Sequence, residues 1–541
     1  MRRLTREVQI GNLPLGSSYP VRVQSMTNTD TLDVQATLAQ SIRLIEAGCE
    51  YVRVTVPSLR EVESLKALRK GLREAGFSTP LIADVHFNPK VAEEAARVVE
   101  KVRINPGNYT DKRSAAHRLS SAQVSLTAQA PFSGQESSLG QDALMEQEYS
   151  NELERIRLRL LPLIAVCRQY GTALRVGTNH GSLSDRIMQR YGDTPRGMAE
   201  SAMEFLRIFH AEGFHQLVLS MKASHTGIMI ASTRLLVERM AAEQMDYPLH
   251  LGVTEAGAGE DGQIRSAVGI GALLQEGVGD TIRVSLTGPP EEEIPVAKMF
   301  VNYAARAMAL PQGGDRLRPV VAAVSEVEEK SLFWRREGFR APGGEAFLLE
   351  WEGNHSVSEV AGLLREARRK TPQLPLVVKR GYMEPLLHDF QCKAAFDLGA
   401  LLTDGLVDGL WLYDQSGLLA PGRVAETALN ILQACRLRMS RAEYISCPSC
   451  GRTLFDIAGA AARIRSKTEH LKGVKIAIMG CIVNGLGEMA DADYGYVGAG
   501  PGRISLYKGK SLVRRNLREE EAVDALVALL KENGDWREPY I

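Results

Sequence analysis

Over the first 290 residues one pattern recurs eight times: a short run rich in Val, Ile and Leu, then a longer amphipathic stretch, then the next run. The runs are PVRVQSMT, YVRVTVP, PLIADVHF, KVRINP, ALRVGTN, QLVLSMK, PLHLGVTE and TIRVSLTG. The stretches between them, such as TLAQSIRLIEAG and AMEFLRIFHAEG, have helical periodicity, and several end at Gly, a residue that readily takes the left-handed turn closing a helix. Alternating strands and helices imply parallel strands joined by crossovers. Eight such units in roughly 250 residues is the size of a (β/α)8 barrel. An open doubly wound sheet is the alternative, but no GxGxxG-type loop follows the first strand.

The rhythm breaks at 110–160, where SSAQVSLTAQAPFSGQESSLGQ is polar and rich in Gly and Ser. This segment is expected to be a long loop, either a lid over the barrel mouth or a tolerated surface insertion. Beyond residue 290 the pattern changes. Residues 291–440 contain AFLLEWEG, LPLVVKRGY and GLVDGLWLYD between amphipathic stretches and are expected to form a smaller inserted α/β domain of structural role. Residues 441–541 form a third α/β unit, with a CPSC motif, the strand VKIAIMG and a charged terminal helix. The expected domains are therefore 1–290, 291–440 and 441–541.

Side chains alternate across a strand. Arg22, Arg53, Arg103, Arg175 and Arg283 each sit between apolar neighbours, with Gln24, Thr55, Asn105, Gly177 and Ser285 two residues on. The opposite face is Val, Ile or Leu and belongs under the helices, so the arginines should point into the barrel. A buried unpaired guanidinium is costly and calls for an anion. The other strands add Asp84 and His86, Ser220 and Lys222, and His250, Thr254 and Glu255, with Asn179 ending the fifth. Asp84 could neutralise one arginine. A phosphorylated or diphosphorylated substrate would satisfy the rest, since guanidinium groups fork onto phosphate oxygens. The strand ends where these residues cluster are where such barrels place their chemistry. Internal salt bridges in a purely structural barrel are the blander alternative. Strict alternation puts Thr254 inward with His250 and Glu255 outward, so Glu255 reaches the mouth only if the pleat breaks.

Cys447-Pro-Ser-Cys450 is a CxxC, and Cys481 follows thirty residues later before the loop IVNGLGE. Gly485 and Gly487 would let backbone wrap closely around an inorganic group. Zinc would want a fourth Cys or His, and no histidine lies near Cys481. A four-iron cluster on three thiolates leaves one iron open or weakly held by oxygen, and Glu488 could supply that oxygen. Spacing alone leaves an iron–sulfur cluster, zinc or no metal open. Seven cysteines, an odd number, suggest a reducing cytoplasm rather than a disulfide scaffold. The first residues have no apolar segment of a secretory leader, and no stretch approaches a membrane span. Lys+Arg and Asp+Glu both total 65, with no basic excess for nucleic acid or anionic membranes.

CPSCGRTLFD and GCIVNGLGE resemble the cluster motifs of the 4-hydroxy-3-methylbut-2-enyl diphosphate synthase family. VQSMTNTDT, EAGCEYVRVTVP, ADVHF, RINPGN, LHLGVTEAG and GDTIRVSL are similar to that family's barrel motifs. The insertion resembles the family's three-domain form, although it is short for that form. The resemblance implies reductive opening of 2-C-methyl-D-erythritol 2,4-cyclodiphosphate on the non-mevalonate isoprenoid route, with reduced ferredoxin or flavodoxin as donor. It implies a [4Fe-4S] cluster on Cys447, Cys450, Cys481 and Glu488. It implies substrate contacts at Arg103, Arg175, Asn179, Lys222, Arg283 and Ser285, with Asp84, His86 and Asn105 beside them and Glu255 as acid–base residue. Arg53 and Thr254 join this set from strand alternation. Glu488 is expected to leave the iron as substrate arrives. The protein is expected to be a monomer or homodimer, with the inserted unit letting one chain close on itself. A phosphate-binding barrel transferase with a structural zinc module, and an RNA-binding iron sensor, are the rival readings.

Overall fold

The computed structural model describes residues 2–109, 138–309, 317–323, 332–339, 341, 344–352, 355–482 and 487–539. All eight runs form strands: β1 Arg22–Met26, β2 Tyr51–Thr55, β3 Leu81–Asp84, β4 Lys101–Ile104, β5 Ala173–Asn179, β6 Leu217–Lys222, β7 His250–Leu251 and β8 Thr281–Ile282. They pair in parallel in the order β6-β5-β4-β3-β2-β1-β8-β7. A parallel bridge between Leu219 and Leu249 joins β6 to the approach to β7, closing the barrel. Outward residues such as Val52, Val54, Val102, Leu174 and Val176 are buried beneath the helices. An apolar cluster seals the barrel floor: Tyr51, Ile82, Ala173 and Val218 meet Val8, Ile10 and Leu15 from a short N-terminal hairpin, with the buried Lys101 Nζ over the Tyr51 ring at 4.7 Å.

Residues 110–137 of the interrupting segment lie outside the described residues. The expectation of a loop through residue 160 fails beyond them, because Ser138–Tyr170 is one helix. Its later part is rich in Leu, Arg and Glu, good helix formers that outweigh the Ser/Gly-rich start and the internal Pro162. The helix Glu293–Ala309 lies past the expected boundary at 290. Its buried first residue turns back onto Ser25 and Arg283, so this helix serves the barrel rather than the insert.

The insert holds a five-stranded sheet: β9 Arg318–Ala323, β10 Leu332–Trp334, β11 Glu345–Trp351, β12 Leu376–Tyr382 and β13 Gly409–Asp414. The order is β10-β13-β12-β11-β9, with three parallel strands between two antiparallel edges. Its helix Leu387–Thr403 lies on the barrel helix Gly259–Gln275 at glycine-sized separation. A methyl at Gly271 would come within 2.7 Å of the Phe396 ring, and one at Gly399 within 2.8 Å of the Val268 backbone. One apolar core runs through barrel and insert without a break.

The C-terminal unit is a sheet of β14 Glu443–Ser446, β15 Lys475–Met479, β16 Tyr494–Gly500, β17 Arg503–Lys508 and β18 Ser511–Arg518, in that spatial order. The first three strands are parallel and the last two antiparallel. Its cores are separate from the barrel's: Ile457, Ile464, Tyr496 and Leu526 on one face, Ile445, Met479 and Met489 on the other. It sits over the mouth of its own chain's barrel. Ala256 bridges Ser446 in parallel, Thr287 Oγ1 lies 2.6 Å from Ser446 Oγ, and Arg265 donates to the Tyr444 carbonyl at 3.1 Å.

Candidate active site

Arg53, Arg103, Arg175 and Arg283 are buried inside the barrel, as alternation requires. Arg22 does not join them at the mouth. It stays at the floor, where Nη1 donates to Glu50 at 2.7 Å and Nε to the Pro14 carbonyl. Its acid comes from the residue preceding β2, not from a strand. Arg283 likewise finds an acid off the strands: Nη2 and Nε donate to Glu293 at 3.1 and 3.2 Å. Asp84 lies 2.6 Å from Arg53, 3.3 Å from Arg103 and 3.5 Å from Arg452, so one carboxylate faces three guanidiniums rather than one. Burial would raise its pKa, but Arg53, His86 and Arg103 hold it well below the ordinary range.

Arg175 is left over. It is 1% exposed, and its Nε and Nη1 have no hydrogen-bond partner among the described residues. Burial pushes the Lys222 ammonium well below its ordinary pKa, with Arg175, Arg283 and Arg53 adding to the effect. Six basic side chains (Arg53, Arg103, Arg175, Lys222, Arg283 and Arg452) line this cavity against the acids Asp84, Glu255 and Glu488. The imbalance is a standing demand for a multiply charged anion. His86 Nε2 sits 3.1 Å from Asp84 and 2.9 Å from Arg103. Burial outweighs Asp84 and, with Arg452 and Arg103, lowers the imidazole to about 3, so the ring is neutral near pH 7.

β7 ends at Leu251, and beyond it Glu255 has φ of 47°, the left-handed region seldom taken by a residue with a side chain. This break in the pleat turns Glu255 inward. It is 3% exposed and lines the cavity together with Thr254. Burial, and then the neighbouring Glu488 carboxylate, raise its pKa well above the ordinary value. Asn179 Nδ2 donates to Glu488 at 2.7 Å, so a barrel strand end holds the cap's carboxylate.

The cysteines converge because they leave adjacent strands. Cys447 follows β14 and Cys481 follows β15 after Gly480, and the two strands pair in parallel with Ser446 beside Ile478. Ser449 takes φ of 68°, tightening the CPSC turn. Cys447, Cys450 and Cys481 form no disulfide and line the same cavity as Glu488. Burial raises the Cys447 thiol, and Cys450, Glu255, Glu488 and Cys481 raise it further. Three thiols and a carboxyl crowded at one wall form a donor set that a bound cationic centre would relieve. The chemistry of this donor set, three thiols with one carboxyl, fits an iron–sulfur group with an oxygen ligand at the position that the thiolates leave open.

Arg53, Asp84, Arg103, Arg175, Asn179, Lys222, Thr254, Glu255, Arg283, Ser285, Cys447, Cys450, Cys481 and Glu488 all meet at this cavity. His86 and Asn105 do not line it. His86 backs Asp84 and Arg103, and Asn105 receives the Gly107 amide at 3.2 Å. Sequence reasoning missed Arg452, although it lies two residues past Cys450 inside the motif. It also missed Glu293, for which no strand-based signal existed, and Met26, whose Sδ lies 3.3 Å from Arg283.

Fold and site together define a class: a (β/α)8-barrel enzyme that gathers an anionic substrate among arginines beneath a cysteine-bearing cap. A family model described as the GcpE TIM-barrel domain matches residues 5–298, and one described as the GcpE protein C-terminal domain matches 443–532. A relative from Phocaeicola vulgatus, named 4-hydroxy-3-methylbut-2-en-1-yl diphosphate synthase (flavodoxin), is 45% identical over 99% of this chain and 99% of its own. Relatives of the same name from Porphyromonas gingivalis and Akkermansia muciniphila are 43% and 42% identical, each over 99% of this chain and 98% of their own. This chain belongs to the 4-hydroxy-3-methylbut-2-en-1-yl diphosphate synthase family of iron–sulfur oxidoreductases. The Phocaeicola alignment runs to 630 positions against 541 residues here, so that relative has segments this chain lacks.

Proposed function

We propose that this enzyme opens 2-C-methyl-D-erythritol 2,4-cyclodiphosphate reductively, taking up two electrons and losing a hydroxyl as water to give 4-hydroxy-3-methylbut-2-enyl diphosphate. The observation that carries this reading is the cavity itself, where six basic side chains face three thiols and a carboxyl across one space. Arg175, Lys222 and Arg283, with Arg53 and Arg103, clamp the two phosphates, while Asn179, Thr254 and Ser285 orient the sugar carbons. Asp84 fixes the fork of Arg53 and Arg103, and neutral His86 and Asn105 stand behind it. Cys447, Cys450 and Cys481, with Glu488, would hold a [4Fe-4S] cluster, which would supply electrons one at a time. Glu255, kept protonated by burial and by Glu488, is placed to give a proton to the departing oxygen. The overlying cap excludes water from the reacting carbon.

The donor is a reduced flavodoxin or ferredoxin, a reading supported by the names of the relatives. The barrel unit, 1–290 on the sequence, is best extended through the helix Glu293–Ala309, followed by a structural insert and a cluster domain from 441. We place the enzyme in the cytoplasm, supported by seven cysteines that form no disulfide among the described residues. No helix among the described residues is long and apolar enough to cross a membrane. Anaerobic purification with iron and sulfide analysis, a visible spectrum, and turnover of the cyclodiphosphate with dithionite test the reading. Zinc without iron or sulfide would overturn it.

A further inference from the structure

The outer edge of the cap sheet has a charge pattern that the site does not use. Among the described residues, β18 is the last strand and pairs only with β17. Residues 503–518 contain six Lys and Arg and no Asp or Glu, in a chain whose charges balance only as a whole. Arg503, Lys510, Arg515 and Arg518 are exposed, and Arg503 stands directly across from Arg518 in the register. Like charges directly opposite on paired strands oppose folding. Edge strands do use charge to block unwanted pairing. That role does not account for Leu512 and Val513, which stay 36% and 46% exposed on the same strand. Arg518 pairs with Glu521 at 2.7 Å and Arg514 with Glu532 at 2.5 Å, and an apolar pair on the same edge as the exposed Arg503, Lys510 and Arg515 has the composition of a protein-docking patch.

The patch also lies near the cysteines. A methyl at Gly498 of β16 would meet the Gly480 carbonyl, next to Cys481, at 2.4 Å. Ile504 is the register partner of Gly498, and Leu517 that of Ile504. With strands about 4.8 Å apart, Leu517 lies about 10 Å from Gly498, and the Gly480–Cys481 peptide, at the end of the next strand beyond, is about 14 Å from Leu517. The Gly502 amide also bonds the Leu454 carbonyl, tying the β16–β17 turn to the CPSC loop.

We propose that the β17–β18 edge, centred on Arg503, Arg515 and Arg518, is the docking surface for an acidic electron-carrier protein that delivers single electrons to this enzyme. This rests on the functional reading above, and its test keeps the two apart. The affinity of an acidic flavodoxin for the holoenzyme is measured by titration at low and high salt, beside turnover driven by flavodoxin and, separately, by dithionite. The triple variant R503E/R515E/R518E should bind flavodoxin about tenfold more weakly or worse, lose its salt dependence, and lose flavodoxin-driven turnover in proportion. Dithionite-driven turnover should keep its parental rate. The neutral variant R503Q/R515Q/R518Q should fall between and serves if the charge reversal fails to fold. Parental flavodoxin affinity in both variants overturns the proposal. So does loss of binding to a short RNA by these variants while flavodoxin affinity stays unchanged. A parent enzyme that fails with dithionite would sink the functional reading, while the binding result would still decide the docking site.

Discussion

Arg175 shows how far this site sets function against stability. A buried guanidinium with two unpartnered nitrogens costs stability, and a phosphate would recover it. Arg175→Met should therefore raise the melting temperature of the ligand-free protein while lowering kcat/KM by about a hundredfold, the scale of losing one charge-stabilising donor. Calorimetry and steady-state kinetics on the same preparation check both halves. His86 offers a second test. Its folded pKa, about 3, lies below the ordinary 6.5, so the unfolded chain binds more protons across that interval. Its contribution is full above pH 6.5 and is lost as pH falls towards 3, at about 1.4 kcal/mol per pH unit where only the unfolded state titrates. Asp84, whose folded pKa is also depressed, loses its contribution only as pH falls below its ordinary 3.8. Melts between pH 7 and 5 should decline, and His86→Gln should flatten that decline. Strand parity made the inward arginines legible in the sequence. Parity could not reveal Glu293 or Glu50, because both acids reach their arginines from outside the strands.

The eight barrel strands were legible as elements because each is an apolar run of the right length, several of them preceded by a helix-stopping Gly. The helix Ser138–Tyr170 was not, since its Ser- and Gly-bearing start masks a helix-forming remainder. β9 and β10 were missed as well, both being edge strands and β10 only three residues long, beside the three apolar runs that did announce themselves. The turn after β7 was legible only as a conflict: alternation pointed Glu255 outward, and the left-handed residue itself resolves it. The cap meets the barrel at two glycines whose role no pattern announced. A methyl at Gly487 would lie 2.5 Å from the Gly181 carbonyl. Gly487→Ala should leave the barrel folded but hold the cap off its mouth. The expected result is at least a tenfold fall in activity, with faster proteolysis between cap and barrel than in the parent. Unchanged kinetics and cleavage would show that the close approach is dispensable.

At the scale of the whole molecule, the cap closes on the barrel of its own chain, through the Ala256–Ser446 bridge and the buried Arg265, 3.4 Å from Glu443. Mixing Cys450→Ala chains with Arg283→Ala chains should therefore restore no activity, because neither chain can lend its intact half to the other. Recovery towards a quarter or half of parental turnover would point to closure between chains. The glycine contacts between the helices Gly259–Gln275 and Leu387–Thr403 have a further consequence. Because barrel and insert share one apolar core and the cap has its own, the chain has two cooperative units rather than three. Heat should dissolve the cap and the barrel–insert body in separate steps, and excising the insert should expose a bare helix face that leaves the barrel prone to aggregate.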